Sequence, residues 1–133
     1  MRIMDIEGIG PTYADKLAKV GIRTTAALLK RGAAPEGRKE IAATAEIGEE
    51  LILEWVNLAD LYRVKGVGSE YSDLLEEAGV DTVVELSKRV AENLHSKMLE
   101  VNKAKNLVNK MPGTQQVNNW IQQAKKLPRV VTY

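Results

Sequence analysis

Apolar positions recur at helical spacing along most of this chain. Tyr13, Leu17 and Val20 share one face of a helix that starts at Pro11. Proline suits that first turn, where its missing N–H has no partner to lose. Gly21 predicts a left-handed stop to this helix, and Gly79 predicts another later in the chain. Ile22 and Val80 follow as buried anchors. Thr24 and Thr82 then stand where helix N-caps are due. Thr82-Val83-Val84-Glu85 has the form of a capping box, whereas Ala27 occupies the matching place of the first and predicts a weaker cap. A turn over residues 33–37 leads to a short helix at residues 38–45. From Gly48 a longer helix carries Leu51, Ile52, Trp55, Val56, Ala59 and Tyr62 on its apolar stripe. A further helix is expected near residues 92–102, then a turn at Met111-Pro112-Gly113. The last helix, about residues 114–126, presents Val117, Trp120, Ile121, Ala124 and Leu127. Pro128 ends it, and residues 129–133 read as an extended tail.

The pattern repeats. Gly8, Gly10, Tyr13, Asp15, Leu17, Gly21, Thr24 and Leu28 each have the same residue type 58 positions on, at Gly66, Gly68, Tyr71, Asp73, Leu75, Gly79, Thr82 and Leu86. Self-similarity at a fixed offset is the mark of a duplicated supersecondary unit. Trp55 and Trp120 read as equivalents with seven residues inserted in the second copy. Each copy has an apolar residue between two glycines, Gly8-Ile9-Gly10 and Gly66-Val67-Gly68, immediately before a helix. Glycine tolerates φ > 0, so the pair predicts a tight corner between two helical runs. Ser69 is placed to N-cap the helix leaving the second corner. The free amides of such a helix start, together with those of the corner, form a natural anion pocket. In the second copy, Glu70 is placed to occupy that pocket itself.

Apolar-x-Gly-apolar-Gly at the head of a helix resembles the helix-hairpin-helix motif. The longer pattern from Gly8 to Leu28 is also similar to the helical fold that closes the bacterial RNA polymerase alpha subunit. The whole arrangement, with both Trp helices and the closing Pro-x-Val-Val-Thr-Tyr, resembles a bacterial family of small tandem helix-hairpin-helix proteins of unknown function. The resemblance implies an all-α, SAM-like fold of two repeats packed as one pseudo-symmetric unit. Residues 1–61 and 62–127 would be the repeats, with the incoming helix of the second from about residue 49, and residues 128–133 the tail. It also implies that hairpin amides hold a DNA backbone phosphate, with a monovalent cation on the hairpin carbonyls. The residues that match are Gly8, Ile9, Gly10, Thr12 and Lys16 in the first copy, and Lys65, Gly66, Val67, Gly68 and Ser69 in the second.

Charge changes this picture. The chain of 133 residues has 19 basic and 18 acidic side chains, for a net charge of +1. A dedicated DNA-binding domain usually carries a basic excess. Residues 1–61 are net −2 and residues 62–133 net +3, which places any electrostatic footprint in the second half. There Lys97, Lys103, Lys105 and Lys110 are interleaved with Asn93, Asn102, Asn106 and Asn109, and Lys125, Lys126 and Arg129 cluster near the end. Two functions follow as expectations. One is a non-enzymatic, sequence-independent DNA-binding module. The other is a protein-interaction or scaffold module on the same fold.

Other chemistries find little support. There is no cysteine, so disulfides and thiolate metal sites are excluded. A lone His95 reads as a surface or capping residue. The serines have no recognisable base partner, and Gly8-Ile9-Gly10 lacks the preceding strand and third glycine of a dinucleotide fingerprint. We find no catalytic constellation and no evident small-molecule substrate, and no cofactor is expected beyond the hairpin cation. No apolar run approaches the ~20 residues a membrane helix needs, and no signal-peptide pattern opens the chain, so a cytoplasmic location is the default expectation. Tyr13 and Tyr71 are expected to brace the hairpins, and both tryptophans to lie in cores.

Overall fold

A computed structural model describes residues 1–133. The fold is all-α: α1 (Pro11–Lys19), α2 (Thr25–Gly32), α3 (Pro35–Ala45), α4 (Glu49–Leu61), α5 (Ser69–Glu77), α6 (Val83–Ser87), α7 (Ala91–Lys105) and α8 (Thr114–Lys126), preceded by a single 3₁₀ turn at Ile3–Asp5. The chain divides into two compact units. Unit 1 comprises Met1–Asp60 with Val130–Tyr133, and unit 2 comprises Leu61–Arg129. No helix is long and apolar enough to cross a membrane.

In unit 1, α1 packs on α3 and on the 3₁₀ turn, and α2 packs on α3. Ile6, Leu17, Ile22, Leu28, Ile41, Ile52, Trp55 and Leu58 are its largest fully buried side chains. The N-terminal segment is held at its start. Ile3 N donates to Arg23 O at 3.1 Å, and Thr25 N to Met1 O at 3.0 Å, around a lone antiparallel bridge between Arg2 and Thr24. The extended tail returns to unit 1, burying Val131 and donating Thr132 N to Ala33 O at 2.8 Å.

Unit 2 has one continuous core. Leu74, Leu75, Val80, Leu86, Leu94, Met98, Val117, Trp120 and Ile121 form its centre. Here α8 packs on α6 and α7, and α5 packs on α7.

The helix ends follow the local chemistry the sequence predicts. Gly21 and Gly79 take φ of +86° and +98°. Ile22 N then donates to Leu17 O at 2.9 Å and Val80 N to Leu75 O at 2.8 Å, the long backbone bond that closes a Schellman motif. Thr24 Oγ1 accepts from Ala27 N at 3.1 Å, and Thr82 Oγ1 from Glu85 N at 3.2 Å.

Three local expectations need correction. The capping box at Thr82 forms only by half, because Glu85 turns to Arg89 one turn on instead of back to the Thr82 amide. An i,i+4 acid–base pair competes directly for that carboxylate. Ser69 is the first residue of α5 and makes no cap; the capping position is Gly68, with extended φ −99° and ψ −168°. The turn expected at residues 33–37 is shorter, since α3 begins at Pro35 and Gly37 lies inside it. Proline's fixed φ starts that helix, and Gly37 is tolerated within it because the end of α2 crosses so closely that no side chain fits there.

Candidate functional site: two open hairpins

Each unit has the same corner. Ile9 N donates to Ile6 O at 3.1 Å, and Val67 N donates to Val64 O at 3.2 Å, so each closes a four-residue turn. The third residue of each turn is a glycine at positive φ, +94° at Gly8 and +96° at Gly66. A type II turn needs that conformation at its third position. The fourth residue, Ile9 or Val67, is buried and pins the corner to its core.

Gly10 and Gly68 follow in extended conformation. Their carbonyls accept the first helical bonds, from Ala14 N and Ser72 N, both at 2.9 Å. Neither capping position has a side chain to offer, so the first amides of α1 and α5 have no cap. In unit 1 these are Thr12 and Tyr13, since Pro11 has no N–H. In unit 2 they are Ser69, Glu70 and Tyr71. Nothing lies within 4 Å of where a Cβ on Gly10 or Gly68 would sit. No side chain at the capping position blocks the approach to these donors, and they carry the positive end of a helix dipole. Glu70 is exposed and makes no hydrogen bond or ion pair, so the expectation that it fills its own hairpin does not hold.

A tryptophan stands under each corner. Trp55 and Trp120 are each 1% exposed. The Trp55 indole nitrogen is 3.6 Å from the Cβ position of Gly8, and that of Trp120 is 2.9 Å from the Cβ position of Gly66. Tyr13 meets the Trp55 ring edge-on at 5.0 Å between centroids, and Tyr71 meets Trp120 at 5.4 Å. Both tyrosines thus brace the hairpins, as their matched positions suggest. The difference in space at Gly8 and Gly66 has a consequence. Alanine at either glycine takes a backbone strain of about 1–2 kcal/mol. At Gly66 the methyl group must also displace the Trp120 ring. We expect Gly66→Ala to lower stability by about 1 kcal/mol more than Gly8→Ala; urea unfolding of both variants, followed by Trp fluorescence, measures the difference.

The remaining site residues are less alike. Lys16 donates to Glu46 O at 3.3 Å, at the C-terminal end of α3. Thr12 is exposed. Lys65 is exposed, but its backbone is clamped by Gln123 of α8, whose Oε1 accepts from Lys65 N at 2.9 Å and whose Nε2 donates to Lys65 O at 3.1 Å. The second hairpin is therefore strapped to α8. In unit 1 the tryptophan alignment puts the apolar Leu58 where Gln123 stands. A monovalent cation would find neutral carbonyls as donors here, of which Ile6 O and Val64 O already accept turn amides.

Two features escape the sequence reading although the sequence carries both. Arg31 and Arg89, also 58 positions apart, donate to carbonyls at the ends of α1 and α5. Arg31 reaches Val20 O, and Arg89 reaches Gly79 O at 2.9 Å. The other feature is a charge boundary. All 18 acidic residues lie in residues 1–100, whereas residues 101–133 carry five lysines, one arginine and no acid. Each of those six cations is exposed, and Lys105 pairs with Glu77. A net charge of +1 hides this split.

Comparison with known proteins adds the family. Over 54 residues, 41% of this chain, it is 43% identical to the poly(3-hydroxyalkanoate) polymerase subunit PhaC of Haloferax mediterranei. That segment is 10% of the relative's length. No solved structure matches the chain. A family model, described as a domain of unknown function (DUF4332), matches residues 7–127 and so takes in both hairpins and both tryptophan helices; the chain belongs to this family.

Proposed function

We propose that this chain is a non-enzymatic, sequence-independent DNA-binding module of two helix-hairpin-helix repeats, with each hairpin holding a backbone phosphate on its amides. The observation that carries the reading is the pair of uncapped helix starts, each fronted by a glycine with open space over it. A phosphate oxygen needs donors that no side chain already fills, and it needs close access to the backbone. Both conditions hold at Gly10 and at Gly68. The acid-free segment of residues 101–133 supports the same reading, because it adds sequence-independent attraction for phosphates. The net charge of −5 over residues 1–100 favours the second reading, a protein-interaction module on the same fold.

Gly10→Val and Gly68→Val separate the two. Both positions have φ near −95°, which valine adopts freely, and nothing within 4 Å of the Cβ position. Each change should lower stability by no more than about 1 kcal/mol, because valine caps a helix less well than glycine, and each puts a branched side chain beside the amides. Titrating labelled duplex and single-stranded DNA at low and at physiological salt should give binding that weakens steeply with salt. Each valine should lower affinity about tenfold, the equivalent of about 1.4 kcal/mol. If the wild-type chain binds neither DNA at low salt, the DNA reading is wrong and the protein-interaction reading takes its place.

A further inference from the structure

Unit 1 has an open groove of about 370 Å³, lined by Arg2, Ile3, Met4, Ala14, Ala18 and Arg23. It lies between the N-terminal segment and one face of α1. Its volume falls within the range of small-molecule sites. Ala14 and Ala18 sit one turn apart on α1, and their short side chains leave the floor low. Ile3 is buried beneath, while Met4 at the edge is 51% exposed. The floor is apolar, and the charge lies at the rim. Arg2 and Arg23 are both exposed, and neither guanidinium has a hydrogen-bond or ion-pair partner in the protein. The backbone bonds from Ile3 N to Arg23 O and around the Arg2–Thr24 bridge fix these two residues at the same end of the segment.

The groove is particular to unit 1. At the 58-residue offset, Met4, Ala14, Ala18 and Arg23 correspond to Tyr62, Ser72, Glu76 and Asp81. The small floor residues become larger, and a rim cation becomes an acid. A groove produced by the fold alone would not need this set of residues to change together.

We propose that the groove binds a single-chain anionic amphiphile, with its head between Arg2 and Arg23 and its alkyl chain over Ile3, Met4, Ala14 and Ala18. The guanidiniums supply fork-shaped donors for a carboxylate or phosphate head. The floor removes alkyl surface from water. A free acyl carboxylate and a monoalkyl phosphate share this chemistry. The site is separate from the hairpins, so the outcome does not depend on the DNA reading.

Titrating the full chain with decanoate below its micelle threshold, followed by amide shifts in the nuclear magnetic resonance spectrum, tests it. Decyl phosphate, decyltrimethylammonium and acetate are run beside it. Saturable shifts should centre on Ile3, Met4, Ala14 and Ala18 with decanoate or decyl phosphate, and the tighter of the two names the head group. Acetate and the cationic amphiphile should bind at least about tenfold more weakly. Ala18→Leu fills the floor and should abolish binding. Arg23→Glu changes only an exposed side chain, keeps the fold, and should weaken binding about tenfold or more. The proposal is overturned if decyltrimethylammonium binds as well as decanoate, if the shifts centre elsewhere, or if Arg23→Glu binds like the wild type.

Discussion

Gly37→Ala is expected to destabilise unit 1 by about 3 kcal/mol or more, although it puts a better helix former into a helix. In an open helix interior the same change would stabilise by roughly 0.5–1 kcal/mol. The sign reverses because of what lies outside α3. A Cβ built on Gly37 overlaps the carbonyl oxygen of Arg31, and the Arg31 carbonyl carbon is only 3.1 Å away. The obstacle is backbone, so it cannot move aside as a side-chain tip can. Relief requires shifting α3 away from the end of α2. That shift disturbs the Arg38 contacts with Gly32 O and Ala33 O one residue later. Overpacking usually costs about 1–3 kcal/mol, and an overlap with main chain belongs at the top of that range. For a domain of this size, 3 kcal/mol corresponds to a fall in Tm of more than about 10 °C. Gly48→Ala is the control, with nothing within 4 Å of its Cβ position. Calorimetry of the two variants checks the result, and equal Tm values would contradict the account.

Gly37 also shows where the sequence stops being informative. A glycine two residues after Pro35 reads as a turn. Only the neighbouring helix, which no local pattern encodes, explains why it sits inside α3. The hairpins are the opposite case. Gly8, Gly21, Gly66 and Gly79 are demanded by local backbone conformation, so their spacing alone predicts where the chain turns. Ile22, Val80, Trp55 and Trp120 follow from helical periodicity and are all buried. The groups that distinguish the two hairpins are not local. Gln123 reaches Lys65 from 58 residues away, and polar side chains on a helix face give no sign of which backbone they will grip. The fate of Lys16 is hidden in the same way, because its partner is a carbonyl at Glu46. Glu70 illustrates a different limit. Its first-turn position permits capping, but the side chain remains in water, where a carboxylate loses nothing by staying hydrated.

Arg38→Met should show how far unit 1 depends on the returning tail. Arg38 is 6% exposed, and its guanidinium donates to Gly32 O at 2.8 Å, Ala33 O at 3.0 Å and Thr132 O at 2.7 Å. It also lies 5.8 Å from the centre of the Tyr133 ring, whose hydroxyl donates to Asn57 Oδ1 at 3.1 Å. No carboxylate pairs with it, so this buried cation is compensated by carbonyl dipoles and an aromatic face. Methionine keeps most of the apolar stem and removes every donor. Ala33 O still accepts Thr132 N, but Gly32 O and Thr132 O lose their charged partner, at about 1–3 kcal/mol for each one left buried. The guanidinium no longer has to be desolvated, which returns part of that loss. The balance is a net destabilisation of about 2–4 kcal/mol. It should come with faster hydrogen exchange at the Thr132 amide, because the tail loses its strongest anchor. Tyr133→Ala alone should cost less. Combined with Arg38→Met it should cost less than the sum, by about 0.5–1 kcal/mol, the share of the cation–ring contact. A variant within 0.5 kcal/mol of wild type, with unchanged exchange at Thr132, would mean that Val131 and the Thr132–Ala33 bond hold the tail without the arginine.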